Sequence, residues 1–160
     1  MTEAPTRVIS LRLELDGFAA AWSHCGDVAD YVARFAASDR YDPESLTTRI
    51  ASYLNEVLEL FFAHHSAGAT LDLVVSREES ALHVACTMPT NEALSATMER
   101  VFGGLSRGDL RAELRAAIEG THGAPPPEAA FIEMAGVHGI VPRLTLDGDV
   151  VTVSLTIPAE

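Results

Sequence analysis

Three polar side chains that could do chemistry lie close together on one predicted helix. Asn55, Glu56 and Glu59 occupy the polar flank of an amphipathic pattern, about one helical turn apart and beside its apolar stripe. Carboxylates in such a position can transfer protons, and carboxylate and amide oxygens can hold a hard cation. The same spacing also fits ordinary solvent-facing positions, so the helix alone leaves both interpretations open.

The histidines and cysteines do not form a comparable group. Adjacent His64 and His65 point about 100° apart on a helix and cannot easily bind one ion together. Cys25 and Cys86 lie far apart without a C-x-x-C spacing, and no G-x-S-x-G motif is present. We therefore expect two reduced thiols, no metal site and no serine or cysteine nucleophile.

Composition excludes several classes of function. The 160-residue chain is 48% hydrophobic and carries a net charge of −12, and all 11 basic residues are arginine. So acidic a protein is not expected to bind nucleic acid or an anionic membrane surface. The absence of lysine excludes P-loop, Schiff-base and β3-lysine kinase chemistry. The sequence shows neither a signal peptide nor an apolar run long enough to span a bilayer, which predicts a cytoplasmic protein.

The spacing of apolar residues along the chain predicts the strands and helices that must position these side chains. A period of two predicts strands over 8–15, 71–76 and 81–86 and a closing hairpin over 144–157. A period of 3.6 predicts helices over 27–37, 43–64, 90–103, 106–118 and 128–137. This order predicts one α+β domain over 1–160, a two-layer sandwich of a mostly antiparallel five-stranded sheet with helices on one face.

Local patterns refine these elements. Asp42 followed by Pro43 is a favoured start for the long helix that carries Glu56. Asp147-Gly148 is a favoured pair for a type I′ turn in the closing hairpin. In the helix over 27–37, the apolar side chains at amphipathic spacing are Val28, Tyr31, Val32 and Phe35.

The run Asn55-Glu56-Val57-Leu58-Glu59-Leu60-Phe61 is similar to the N-box, N-E-L-x-E-N-A, of the histidine kinase and gyrase-type (GHKL) ATPase superfamily. The order of elements resembles that superfamily over nearly the whole chain, and more specifically its small stand-alone bacterial members of the SiaB protein-kinase type. The resemblance implies that Glu56 is the general base. It also implies that the residue one turn later holds Mg²⁺ on ATP, and here that residue is Leu60.

Two further nucleotide-binding motifs of the superfamily are replaced. Residues 87–91 stand where the adenine-reading D-x-G-x-G box is expected, and residues 127–131 stand where a phosphate-binding G-x-G-L turn is expected. Glu128 would place a negative charge beside the phosphates. We therefore expect ATP binding to be weakened or lost, with no metal and no cofactor.

If a cofactor is bound after all, the expected contacts besides Glu56 come from four residues. They are Asn55, Glu59, Thr87 and Asn91.

The resemblance implies a degenerate regulator, a pseudokinase, in a bacterial partner-switching or two-component-linked module. Its expected partner is a STAS-like or SiaC-like protein, with a response regulator, a PP2C phosphatase or a second copy as further candidates. The alternative is an active ATP-dependent serine/threonine kinase of the SiaB type, using Glu56 as base, Glu59 in an unorthodox metal site, and Mg-ATP. A third hypothesis is a different α+β module, for instance a homo-oligomeric ligand-binding domain.

Overall fold

The computed structural model describes residues 4–18, 23–103, 105, 115–116, 119–120 and 127–158. The strands are β1 (Thr6–Glu14), β2 (Thr70–Arg77), β3 (Ala81–Pro89), β4 (Arg143–Asp147) and β5 (Val150–Pro158). The helices are α1 (Leu15–Phe18), α2 (Ser23–Ala37), α3 (Pro43–His64), α4 (Glu92–Gly103) and α5 (Pro127–His138). The helix predicted over 106–118 lies almost entirely outside the described residues. Among the described helices, none is both long and apolar enough to cross a membrane.

The five strands form one antiparallel sheet in the order β1-β2-β3-β5-β4. Side chains alternate between its two faces, as the period of two requires. One face is buried under the helices, with these side chains from the three central strands: Leu71, Leu73, Val75, Leu82, Val84, Cys86, Met88, Val151, Val153, Leu155 and Ile157. The other face is mostly half-exposed. The predicted α+β architecture, with helices on one face of a five-stranded sheet, is confirmed.

Helix α3 begins where the sequence predicts. The Asp42 side chain accepts a hydrogen bond from the backbone N–H of Ser45 at 3.1 Å, and Pro43 is the first helical residue. The predicted apolar stripe is buried throughout, with these residues: Leu46, Ile50, Tyr53, Leu54, Val57, Leu58 and Phe61. Each such side chain stabilises the fold by about 1.5–3 kcal/mol when fully buried. This burial fixes which flank of α3 faces outward.

Helix α2 faces the core with small side chains, contrary to the interpretation of its apolar pattern. Tyr31 is 60% exposed and Phe35 is 50% exposed, whereas the buried residues are Cys25, Ala29, Val32, Ala33, Ala36 and Ala37. The physical reason is close packing, because α2 lies against α3 and small residues let two helices approach each other. The larger aromatic side chains are therefore left on the outside.

The closing hairpin turns one residue later than predicted. Asp147 still pairs with Val150, so the two turn residues are Gly148 and Asp149. Gly148 has φ +58°, and Asp149 does not have a positive φ. A positive φ at the first turn position alone is the type II′ pattern rather than type I′, and it favours glycine there.

Candidate functional site

Asn55, Glu56 and Glu59 lie together on the outer flank of α3, where all three are half-buried. Asn55 Nδ2 donates a hydrogen bond to Glu59 Oε1 at 3.0 Å, across one helical turn. The amide and one carboxylate oxygen therefore satisfy each other. Glu56 is left as the carboxylate of this group that borders open space.

Glu56 lines two concave regions. One is an open groove of about 770 Å³ between α2 and α3, to which α2 contributes Gly26, Asp30 and Arg34. The other is a cavity of about 370 Å³ between α3 and α5. Burial raises the pKa of the Glu56 carboxyl group, and the negative charge of Glu59 raises it further. A carboxyl group with a raised pKa beside a cavity has the character of a general acid or base.

The α3–α5 cavity combines an apolar wall with polar groups. The rings of Tyr53 and Phe131 meet edge to face, with centroids 6.0 Å apart. Tyr53 Oη and Arg49 Nε are both shielded from solvent, and neither has a hydrogen-bond partner in the part of the chain that the structure describes. The full lining is Ser45, Thr48, Arg49, Ser52, Tyr53, Glu56, Ala130, Phe131, Glu133, Met134 and His138.

The charges of this cavity are poorly matched to a polyanion. Arg49 is the single arginine of the lining, which also holds the carboxylates of Glu56 and Glu133. A triphosphate would therefore meet two carboxylates and one guanidinium group. Glu128, which we expected to oppose phosphates, belongs to α5, but its side chain lies outside the described residues.

Leu60 lies one turn after Glu56, at the position where the resemblance requires a Mg²⁺ ligand. Its side chain is 6% exposed and belongs to the apolar core. A hydrocarbon side chain offers no oxygen to a cation. The helix therefore presents Glu56 without the expected ligand one turn later.

Thr87 lies on the opposite face of the sheet from α3. Its neighbours along β3, Cys86 and Met88, point into the core, so Thr87 points away from it. The Thr87 and Thr152 hydroxyl oxygens are 3.0 Å apart, in a hydrogen bond between β3 and β5. The structure therefore does not bring Thr87 to the cavity beside Glu56.

Asn91 caps the first turn of α4. Its Oδ1 accepts a hydrogen bond from the Leu94 N–H at 2.8 Å. Its Nδ2 donates to the His64 carbonyl oxygen at 3.0 Å and to Ser66 Oγ at 2.9 Å. These hydrogen bonds join α4 to the end of α3. The Asn91 side chain therefore has a structural role. A role for Thr87 or Asn91 in binding a cofactor stays a prediction.

Both cysteines are free thiols, as expected, and both are fully buried. Burial raises the pKa of Cys25 to about 11 and that of Cys86 to about 12, and for Cys25 the charge of Glu59 adds to the effect. Thiols with such pKa values are weak nucleophiles at neutral pH. Among the described residues, no group of three or more histidine, cysteine, aspartate or glutamate side chains is placed to hold a metal ion.

The comparison with known proteins points to a shared fold. No family model matches the sequence, and no curated protein matches it. A chain of the crystal structure of the SiaB-SiaC complex from Pseudomonas aeruginosa is similar to this protein, with a TM-score of 0.57 and 15% sequence identity. The similarity covers 95% of this chain and 90% of that chain. The fold expected from the resemblance is thus confirmed, while membership of the GHKL superfamily stays a prediction.

Sequence reasoning missed the three ionisable residues of the cavity lining other than Tyr53 and Glu56, namely Arg49, Glu133 and His138. The spacing of Arg49 could have revealed it, because it lies two turns before Glu56 and so on the same helical face. Glu133 and His138 reach the cavity only because α5 packs against α3. That contact depends on tertiary structure, and no local pattern predicts it.

Proposed function

We propose that this protein is a signalling regulator, a pseudokinase that acts by binding another protein and that has lost the ATP-dependent activity of its fold. The observation that carries the proposal is the burial of Leu60 one turn after Glu56. An N-box of the superfamily has an asparagine there to hold Mg²⁺. The side-chain amide of Asn55, on the same helix, donates instead to Glu59.

The charges around Glu56 support the same conclusion. At an effective dielectric constant near 20, two like charges 4 Å apart repel by about 4 kcal/mol. A triphosphate in the α3–α5 cavity would meet such repulsion from Glu56 and Glu133, opposed by Arg49 as the single arginine of the described lining. ATP binding in this cavity is therefore disfavoured.

The partner that we propose is a protein of the SiaC or STAS type. The likeness of the fold to a chain of the SiaB-SiaC complex supports this class of partner. The net charge of −12 would speed association with a partner that carries a basic surface, because complementary charges steer the encounter of two proteins. We therefore place the protein in a partner-switching module as its binding component.

Calorimetric titration of the full chain with Mg-ATP tests the loss of nucleotide binding. We expect no binding heat up to millimolar nucleotide, and the same affinity for the protein partner with and without ATP. The matched variant Glu56→Gln/Glu133→Gln removes both carboxylates of the cavity. A micromolar affinity of the wild-type chain for Mg-ATP would overturn the proposal.

One observation favours an active kinase as the second candidate. Glu56 borders the cavity, and burial and Glu59 together raise its pKa, which suits a general base. The assay is phosphate transfer from labelled ATP to a SiaC-type protein, with Glu56→Ala compared against the exposed control Glu92→Ala. If the wild type transfers phosphate, Glu56→Ala abolishes the transfer and Glu92→Ala preserves it, the protein is an active kinase. A transfer that Glu56→Ala leaves unchanged would exclude Glu56 as its base.

A further inference from the structure

Three exposed aromatic side chains occur close together in the chain, on α2 and in the turn that follows it. Tyr31 and Phe35 are half or more exposed, and Tyr41 is 99% exposed. The rings of Tyr31 and Phe35 lie one helical turn apart, with their centroids separated by 6.5 Å. We call Tyr31, Phe35 and Tyr41 the aromatic stripe. An exposed aromatic pair such as Tyr31 and Phe35 is typical of protein-binding surfaces, since it adds much contact area with few rotatable bonds. Tyr41 follows four residues after the end of α2.

The aromatic stripe is separate from the cavity beside Glu56. From α2, the α2–α3 groove is lined by Gly26, Asp30 and Arg34 and their neighbours. Tyr31 and Phe35 fall on the other flank of the helix, because successive residues are about 100° apart. The two rings therefore lie outside the groove, while Asp30 and Glu44 stand at its edge.

The surroundings of the stripe are acidic. Residues 23–44 contain five carboxylates and two arginines. Arg40 is turned away, because its guanidinium group donates to backbone carbonyls of the β2–β3 turn. Asp39 is paired with Arg77 at 2.6 Å, and the other carboxylates are exposed: Asp27, Asp30, Asp42 and Glu44. An apolar centre with a charged rim is the usual arrangement of a protein interface.

The size of the stripe fits the centre of such an interface. An aromatic side chain buries about 150–250 Å² when it is covered, so the exposed parts of these three give roughly 300–500 Å². A stable interface of standard size covers about 800 Å² on each partner. The stripe therefore supplies roughly half of the contact area that one ordinary protein partner needs.

We propose that the aromatic stripe is where this protein binds its partner, and that the partner presents apolar side chains flanked by arginine or lysine. The charge of the rim selects this occupant over a second copy, since a symmetric pair would bring carboxylates against carboxylates. The inference rests on the proposed function in one respect, that the chain acts by binding a protein. It adds the surface and the chemistry of the partner.

A photo-crosslinking amino acid placed at three positions of the full chain, in the cells that produce it, tests the surface. The positions are Tyr41 on the stripe, Thr48 in the α2–α3 groove, and Leu146 on the far edge strand β4. We expect one protein to be crosslinked from position 41, more strongly than from position 48 beside the rim residue Glu44, and not from position 146. The crosslinked protein is then purified and titrated against the unmodified chain.

The titration compares matched double variants at exposed positions, which should fold as the wild type does. We expect Tyr31→Ser/Phe35→Ser to weaken binding by tenfold or more, and the control Leu146→Ser/Val150→Ser to change it by less than twofold. Asp27→Asn/Asp30→Asn should slow association at least threefold in 50 mM salt, with little effect in 500 mM salt. Thermal unfolding of each variant verifies that the fold is retained.

The outcomes separate this inference from the proposed function. A partner crosslinked from position 48 or 146 but not from 41 overturns the stripe and leaves the regulator intact. Equal affinities of Tyr31→Ser/Phe35→Ser and Leu146→Ser/Val150→Ser for the partner would also overturn the stripe and leave the regulator intact. A crosslink from position 41 to a second copy of the chain would refute the proposal that the partner is a basic protein. Association that does not depend on salt would refute it as well. The absence of a crosslink from position 41 overturns the stripe, whereas micromolar binding of Mg-ATP by the wild-type chain overturns the proposed function.

Discussion

Asn55 Nδ2 donates to Glu59 Oε1 across one turn of α3, at 3.0 Å, and so fixes the Glu59 carboxylate beside Glu56. The charge of Glu59 contributes to the raised pKa of Glu56 and also to that of Cys25 on α2. Glu59 therefore raises the pKa of ionisable groups on both α3 and α2. Its effect on its neighbours can be measured without assuming any activity.

Replacing Glu59 with glutamine should lower the pKa of Glu56. The substitution keeps the shape and the acceptor for Asn55 but removes a negative charge, and a nearby negative charge favours the protonated form of a carboxyl group. The pKa is read from the pH dependence of the Glu56 side-chain carboxyl resonance by nuclear magnetic resonance. Glu92→Gln, at an exposed position on α4, is the control and should leave that resonance unchanged. An unchanged Glu56 titration in Glu59→Gln would contradict the coupling.

Replacing Glu56 with glutamine should stabilise the protein at neutral pH. The pKa of Glu56 in the folded chain lies above its ordinary value of 4.5, so folding favours the protonated carboxyl group. Its favourable contribution is fully present below pH 4.5 and is lost as the pH rises through the raised pKa. We expect Glu56→Gln to gain less than about 1 kcal/mol at pH 7, because half of the side chain is solvated.

Urea unfolding of wild type and Glu56→Gln at several pH values measures this difference. The free energies of unfolding of the two proteins, plotted against pH, should coincide below about pH 4, where both side chains are neutral. Glu92→Gln, compared in the same way, corrects for the general effect of removing one acidic charge. A gain in stability that persists at low pH would show that charge is not its cause.

Replacing Leu60 with asparagine should unfold part of the core rather than create a Mg²⁺ site. Leu60 is buried, so the substitution places an amide in apolar surroundings and leaves a void, which costs about 2–5 kcal/mol. The free energy of unfolding in urea measures the loss. Ala63→Asn, at an exposed position of the same helix, is the control and should cost under about 1 kcal/mol. A stable Leu60→Asn chain that binds Mg-ATP would show that this position faces the cavity.

The parts of the fold that the sequence predicts well are those decided by local chemistry. Asp42 and Pro43 start α3 because capping involves only the first helical turn. The strands and the hairpin follow from alternation within one or two segments. The turn itself was misplaced by one residue, because Asp147 and Asp149 both flank Gly148 and only pairing across the hairpin chooses between them.

The parts that the sequence did not predict depend on contacts between distant segments. The inward face of α2 is set by the close approach of α3, which selects alanines and leaves Tyr31 and Phe35 outside. The face of the sheet that Thr87 takes, by contrast, follows from its alternation with Cys86 and Met88 along β3. Glu56 lies on the polar flank of α3, but the opposite wall of the cavity beside it belongs to α5, which no local pattern predicts.

The buried hydroxyl group of Tyr53 is expected to weaken the fold. The residue is 1% exposed, and its Oη has no hydrogen-bond partner among the residues that the structure describes. Burial is the main cause that holds the pKa of this hydroxyl well above its ordinary value. A buried polar group without a partner costs about 1–3 kcal/mol. Tyr53→Phe removes that cost and keeps the edge-to-face contact with Phe131.

We therefore expect Tyr53→Phe to raise the free energy of unfolding by about 1 kcal/mol. Urea unfolding followed by circular dichroism measures it, with the exposed Tyr31→Phe as a control that should change stability by less than about 0.5 kcal/mol. Tyr53→Leu, which also removes the ring, should lose stability, since the aromatic pair contributes about 0.5–1.5 kcal/mol beyond its buried area. A loss of stability in Tyr53→Phe would instead mean that the hydroxyl group is hydrogen-bonded in solution.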